Sequence, residues 1–241
     1  MSIRDNLLAL EERIRNACSR AGRSRSDITL VAVTKTRTPN EVVEGIRAGI
    51  AHVGENRVQE AQAKKPQVSL PATWHLVGSL QTNKAKKAIE LFDFIQSVDS
   101  LHLAEELQRR CLQMDRHMDV LVEVNTSGET SKHGVRPGEV PGILAETLKL
   151  GRLRLLGLMT IGPGFAIEDP EASRPCFRLL RTLAEDCRQR FSIPLPHLSM
   201  GMSSDFEIGI EEGATIIRVG TAIFGPRPAP LKPEGRNPKS D

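Results

Sequence analysis

Short apolar runs alternate with amphipathic segments along most of the chain. An amphipathic segment comes first, because Leu7, Leu10, Ile14 and Cys18 recur at helical spacing and Gly22 follows where such a helix would end. Eight strand-like runs are then predicted, at 28–34, 51–54, 74–78, 94–98, 120–124, 155–160, 197–200 and 216–219. Helical patterns separate them, at 40–48, 56–64, 82–91, 100–113, 139–149, 174–190 and 204–211.

This alternation indicates an α/β fold with a parallel sheet. Eight strands are the number that closes a (β/α)8 TIM barrel, and 241 residues with 39% hydrophobic content are enough for one large core. We therefore predict a single barrel over residues 1–225, with the opening helix in the place of the missing last one. The proline-rich, charged segment 226–241 cannot bury a core, so we expect a disordered tail and no second domain.

Composition narrows the classes of partner. The net charge of +3 comes from 33 basic and 30 acidic residues that are interspersed, so no basic stripe indicates nucleic-acid binding. The four cysteines have no CxxC or metal-ligand spacing, and no apolar signal segment opens the chain. No run approaches the roughly 18 apolar residues that cross a bilayer. We expect a cytoplasmic protein with reduced thiols that binds no membrane.

Lys35 is the first candidate for chemistry, because it follows the apolar run LVAVT at 30–34. Burial lowers the pKa of a lysine ammonium, and the neutral amine can attack an aldehyde. A solvated lysine just past a strand end is the alternative on this segment alone. In a barrel, the carboxyl ends of all strands share one face, where chemistry is normally found. The other candidates at or beside strand ends are Glu55, Asn56, His75, Asn125, Met159, Ser199 and Arg218.

The last two strands carry small and hydroxyl residues that suit an anion. SMGMSS at 199–204 leads into a predicted helix, and Gly220 and Thr221 end the final strand. Backbone N–H groups, hydroxyls and a helix N-terminus all favour an oxyanion, and barrels often bind phosphate after strands seven and eight. The alternative is that the glycines serve turns and the serines cap the helix. Together with Lys35, these loops predict a phosphate ester that carries an aldehyde.

Several segments resemble the pyridoxal phosphate homeostasis protein family, in the right order and over nearly the whole chain except the tail. They are AVTKT at 32–36, GENRVQE at 54–60, WHLVGSLQTNK at 74–84, GLMT at 157–160, LSMGMS at 198–203 and RVGTAIFG at 218–225. The resemblance implies a fold-type III barrel like the amino-terminal domain of alanine racemase. It also implies that Lys35 binds pyridoxal 5'-phosphate (PLP) as an internal aldimine.

The resemblance also implies roles for other residues of the cofactor site. Ser199, Gly220 and Thr221 match the phosphate cradle, and Gly201 belongs to the same site. Asn56 and Met159 match positions that line the cofactor. His75 and Arg218 also belong to the cofactor site that the resemblance implies. Arg218 matches the residue that faces the pyridine nitrogen, where a guanidinium would keep that nitrogen unprotonated; a salt-bridged arginine is the alternative. His75 either stacks near the ring or fills the core with its hydrogen bonds satisfied.

The sequence contains no tyrosine, whereas alanine racemase uses a lysine and a tyrosine on opposite faces of its substrate. The resemblance and the missing tyrosine lead us to predict a PLP-binding protein of intracellular PLP (vitamin B6) and amino acid homeostasis, without substantial catalysis. We expect a monomer, because the second domain that is the usual reason for an obligate dimer in alanine racemase is not predicted here. PLP-dependent apoenzymes are its expected partners. The alternatives are a low-activity PLP-dependent amino acid racemase and a barrel that binds a phosphorylated sugar without PLP.

Two further lysines, Lys132 and Lys84, each have a functional and a structural interpretation. Lys132 follows the fifth strand and could reach the barrel mouth to pass PLP in or out, although a solvated loop lysine is the simpler interpretation. Lys84 lies in one of the family segments but is also explained by a solvated helix face.

Overall fold

Eight parallel strands form a closed barrel in the computed structural model, which describes residues 2–226. Neighbours in the chain are neighbours in the barrel, and the first strand pairs with both the second and the last. The strands are β1 Thr29–Val33, β2 His52–Glu55, β3 Thr73–Leu76, β4 Phe94–Val98, β5 Met118–Glu123, β6 Leu153–Met159, β7 His197–Ser199 and β8 Ile216–Val219. The predicted TIM barrel is confirmed, and β4 and β8 have the predicted ends.

Helices surround the barrel between the strands. They are α1 Ile3–Arg20, α2 Pro39–Arg47, α3 Val58–Lys64, α4 Ala85–Leu91, α5 Leu101–Gln113, α6 Val140–Thr147, α7 Arg174–Phe191, α8 Phe206–Glu211 and α9 Thr221–Phe224. Three predicted helices begin too early. Those predicted from 56 and 204 begin two residues later, and the one predicted from 82 opens with the 3-10 turn Thr82–Lys84. Helix α9 has four residues, too few for a periodic pattern to reveal.

The opening helix covers the barrel beside α9 rather than in place of a last helix. Its buried side chains pack on the outer core, and it contacts both α8 and α9. Asn6 Nδ2 donates a hydrogen bond to the carbonyl oxygen of Ile223 in α9, at 2.9 Å. The prediction of an extra amino-terminal helix is therefore confirmed, but a short helix does follow β8.

Two groups of apolar side chains hold the barrel together. The larger group lies between the strands and the helices. The smaller one fills the inside of the barrel, because alternate residues of a strand point to opposite faces of the sheet. Its buried members are Val31, Val77, Phe94, Leu121, Met159 and Ile216. Polar side chains occupy the rest of the barrel interior, and they shape the site described below.

The four cysteines are buried free thiols, none of them in a disulfide within the described residues. No helix within residues 2–226 has the length and apolar character needed to cross a membrane. The disordered tail predicted for 226–241 lies, from residue 227 onward, outside the described residues.

Candidate functional site

A cavity of about 400 Å³ opens at the carboxyl ends of the strands. Five of the nine predicted site residues line it: Lys35, Asn56, Arg218, Gly220 and Thr221. The lining also includes residues that we did not predict as site residues: Val33, Arg37, Val77, Ile161, Ile167, Met202, Ser203 and Ser204. Ser203 and Ser204 lie in the predicted anion-binding segment, so the sequence held a signal for them. Met202 lies in the same segment, whereas Val33 ends β1 and the other lining residues come from other loops, and none of these had such a signal.

The loops after β7 and β8 meet at one side of this cavity. Gly220 N–H donates to Ser203 Oγ at 3.3 Å, and the Thr221 and Ser203 hydroxyls lie 3.4 Å apart. A Cβ atom at Gly220 would approach the carbonyl oxygen of Val33 to 3.1 Å, so the absence of a side chain lets the β8 end lie close to β1. The result is a group of hydroxyl and backbone donors of the kind that binds phosphate.

Arg218 is buried at 4% exposure and begins a chain of hydrogen bonds across the barrel interior. Its guanidinium donates to Ser199 Oγ (2.6 Å), whose hydroxyl donates to Gln96 Oε1 (2.6 Å). Gln96 Nε2 is 2.9 Å from His75 Nδ1, and His75 Nε2 is 3.0 Å from His52 Nδ1. Gln96 Oε1 can only accept and Gln96 Nε2 can only donate, so the orientation of this amide fixes the direction of the bonds on both of its sides. His75 therefore accepts at Nδ1 and donates from Nε2.

Four predicted site residues are not among those lining the cavity: His75, Met159, Ser199 and Gly201. His75 has both ring nitrogens hydrogen-bonded, and burial lowers its pKa to about 3, so the ring is neutral. The Ser199 hydroxyl is engaged with its two partners. Gly201, at a φ of +95°, accepts a backbone bond from Arg218, and Met159 is buried inside the barrel. Direct contact of these four with a cofactor stays a prediction.

The charge on Arg218 is retained although burial lowers its pKa to about 10. Its second guanidinium nitrogen donates to the carbonyl oxygen of Thr160 at 2.7 Å. Among the described residues no carboxylate forms an ion pair with it, so the structure does not favour the alternative of a salt-bridged arginine. The nearby carboxylates of Glu123 and Asp205 nevertheless favour its charged form.

Glu123, at the end of β5, is an ionisable group that the sequence did not single out. It lines a second cavity of about 400 Å³, which shares Asn56, Val77 and Ile161 with the first. Its Oε2 atom is buried and has no hydrogen-bond partner among the described residues. Burial raises the pKa of Glu123 to about 7, against the attraction of the Arg218 charge.

Lys132 lines the same second cavity. Its ammonium donates to the carbonyl oxygen of Gly162 at 2.5 Å and pairs with Glu129 at 2.8 Å. The lysine thus reaches the barrel mouth, and it is held there by two partners rather than simply solvated. A role in passing PLP in or out stays a prediction.

The raised pKa of Glu123 predicts a pH dependence of stability. The carboxyl group of Glu123 keeps its proton to a higher pH in the folded state than in the unfolded state. The free energy of unfolding therefore falls as pH rises from about 4.5 to about 7, and this group causes no further fall above pH 7. The shift corresponds to about 3 kcal/mol. We expect Glu123→Gln to gain stability relative to wild type between pH 5 and pH 8, by up to that amount, in urea unfolding. Glu105→Gln, the same change at an exposed position, should show a constant difference; a constant difference for Glu123→Gln would contradict the prediction.

The chain matches the family described as "Alanine racemase, N-terminal domain" over residues 6–228. It is 44% identical to the pyridoxal phosphate homeostasis protein of Aquifex aeolicus (strain VF5), an alignment that covers 94% of this chain and 99% of that protein. It is 38% identical to the protein of the same name from Escherichia coli (strain K12), over 93% of this chain and 97% of the relative.

Solved structures show the same fold. PipY of Synechococcus elongatus PCC7942 with PLP bound is 36% identical, with a TM-score of 0.80, over 93% of this chain and all of that one. Alanine racemase of Clostridium difficile 630 has a TM-score of 0.73 at 17% identity. That similarity covers 95% of this chain but 58% of the racemase, and it shows the barrel fold alone.

Proposed function

Because the chain belongs to the pyridoxal phosphate homeostasis protein family, we propose that it binds PLP and acts in PLP and amino acid homeostasis. One observation carries this proposal. A single cavity joins the Lys35 side chain to the hydroxyl and glycine groups of the last two strand ends, with Arg218 in its wall. An amine can bind the PLP aldehyde, phosphate donors can hold its phosphate, and an arginine is one of the residue types that can face its ring nitrogen.

When bound, PLP supplies an aldehyde that condenses reversibly with a primary amine and releases water. We assign Lys35 as that amine. The hydroxyls of Ser203 and Thr221 and the backbone around Gly220 would hold the phosphate, because they form the donor-rich side of the cavity. Arg218 would lie beside the ring nitrogen, which it favours unprotonated because a guanidinium accepts no hydrogen bond.

Uptake and release of PLP need only this reversible covalent bond and a site that binds the phosphate. We propose that residues 1–225 form one PLP-binding unit, that it acts as a monomer in the cytoplasm, and that PLP-dependent apoenzymes receive its PLP. The near full-length agreement with relatives named for PLP homeostasis supports the single unit.

A deuterium-exchange experiment separates the homeostasis role from racemase activity. The protein is incubated with PLP and L-alanine in deuterated water, and deuterium at the α-carbon is followed by proton NMR. Racemisation removes the α-proton and returns one from solvent on the other face, which takes two bases. We expect exchange no faster than with free PLP, and an alanine racemase serves as the positive control. Exchange at the rate of that control, with formation of D-alanine, would replace the homeostasis proposal by the racemase alternative.

A further inference from the structure

The residue after Lys35 has a backbone conformation that its side chain disfavours. Thr36 has a φ of +65°, in the left-handed region, where a β-branched residue is strained. The strain arises from a tight turn, in which Arg37 N–H donates to the carbonyl oxygen of Thr34 at 3.0 Å. Lys35 and Thr36 are the central residues of this turn. A positive φ at the second central position is normally supplied by glycine or asparagine.

One face of helix α3 contacts this turn on both sides of Lys35. Glu60 Oε2 accepts a hydrogen bond from the backbone N–H of Thr36 at 3.2 Å. Lys64 Nζ donates to the carbonyl oxygen of Thr34 at 2.7 Å. Glu60 and Lys64 are four residues apart, so they project from the same side of the helix. The two peptide units that flank Lys35 are therefore both held by charged side chains of α3.

The lysine of this pair is itself fixed. Lys64 is 6% exposed and forms an ion pair with Glu55, which is fully buried at the end of β2. The Thr34 hydroxyl donates to the same Glu55 oxygen at 2.6 Å. A buried ammonium needs such partners, and removal of either member would leave a buried charge unpaired. Lys64 therefore has little freedom to leave the turn.

We propose that Glu60 and Lys64 are positioning residues that hold the strained turn so that the Lys35 amine stays in the cavity. This inference rests on the proposed function, since it assumes that Lys35 is the amine that takes PLP. Neither residue touches the cofactor cavity, and each acts through the backbone on one side of Lys35. The strain at Thr36 is what makes the Glu60 bond necessary.

A double-mutant cycle on Glu60 and Thr36 tests the proposal. The equilibrium constant of lysine adduct formation with PLP is measured by absorbance, and exchange of the Thr36 amide proton is measured by NMR without PLP. We expect Glu60→Ala to lower the constant about tenfold and to speed the amide exchange by a similar factor, as loss of a charge-assisted hydrogen bond should. Glu60→Gln keeps an oxygen acceptor and should lose less than about threefold.

The Thr36→Gly background is decisive, because glycine adopts a positive φ without strain. There, Glu60→Ala should change adduct formation less than about threefold. Gln62→Ala, at an exposed position of the same helix, is the matched control and should change neither readout. An equal loss in both backgrounds, or an equal loss for Gln and Ala at position 60, would overturn the positioning role. A wild-type protein that forms no adduct at Lys35 would instead overturn the proposed function.

Discussion

Lys35→Ala is expected to abolish the absorbance band at roughly 420 nm that the wild-type protein develops with PLP. Borohydride reduction should fix PLP on the Lys35 peptide of the wild type, and peptide mass analysis should find no adduct in the variant. The physical reason is that alanine offers no amine to the aldehyde. The phosphate donors after β7 and β8 remain, so the variant should still bind PLP, more weakly and without a covalent bond.

Two other lysines serve as controls for this experiment. Lys86→Ala changes an exposed lysine of α4, and Lys132→Ala changes the lysine of the neighbouring cavity. Both variants should keep the band and the trapped adduct at Lys35. An adduct on Lys132 in the wild type would move the attachment site to the second cavity. A wild type with neither band nor adduct would favour a barrel that binds a phosphorylated ligand without PLP.

Among glycine-to-alanine changes in the described residues, Gly157→Ala is expected to cause the largest loss of stability. A Cβ atom at Gly157 would lie 1.8 Å from the carbonyl oxygen of His197 and 2.7 Å from its carbonyl carbon. Both atoms belong to the backbone of β7, which pairs with β6 at this point, so no side chain can move aside. We expect a loss of more than about 4 kcal/mol in the free energy of unfolding. Urea denaturation, or the yield of folded protein, measures it.

The matched control is Gly142→Ala in helix α6, where a Cβ atom would meet nothing within 4 Å. Alanine favours a helix over glycine, so this variant should gain about 0.5–1 kcal/mol. A stability of Gly157→Ala within about 1 kcal/mol of wild type would mean that β6 and β7 do not have the register described. That register also places Met159 opposite Ser199.

Five residues that line the cavity could be predicted from the sequence for one reason. Arg218, Gly220 and Thr221 lie at the end of the last strand, and Lys35 and Asn56 follow the first two strands. Strand ends of a parallel barrel share a face, so knowing which residues end the strands is enough to bring Lys35 and Gly220 together. Ser199 and His75 show where this reasoning stops. Both lie in strands, and their hydroxyl and ring are turned to Gln96, which is distant in sequence from each.

Local sequence patterns were enough to predict most of the helices and strands. Helical and alternating periodicities reflect which faces of a segment are apolar, and this is a property of neighbouring residues. The short helix α9 and the late starts of α3 and α8 escaped them, because a few residues at an element end carry too little pattern. The resemblance to a family added what no pattern contains, namely the identity of the cofactor.

The eight-stranded barrel, the lysine after β1 and the small-residue loops after β7 and β8 all follow from the amino-acid sequence. Contacts between groups far apart in the chain become visible only in the folded protein. Within residues 2–226, Arg218 is hydrogen-bonded to Ser199 rather than paired with a carboxylate, a Glu123 oxygen is buried without a partner, and Glu60 holds the strained turn at Thr36. Such contacts follow from barrel closure and strand register, which sum weak preferences over the whole chain and leave no local signature.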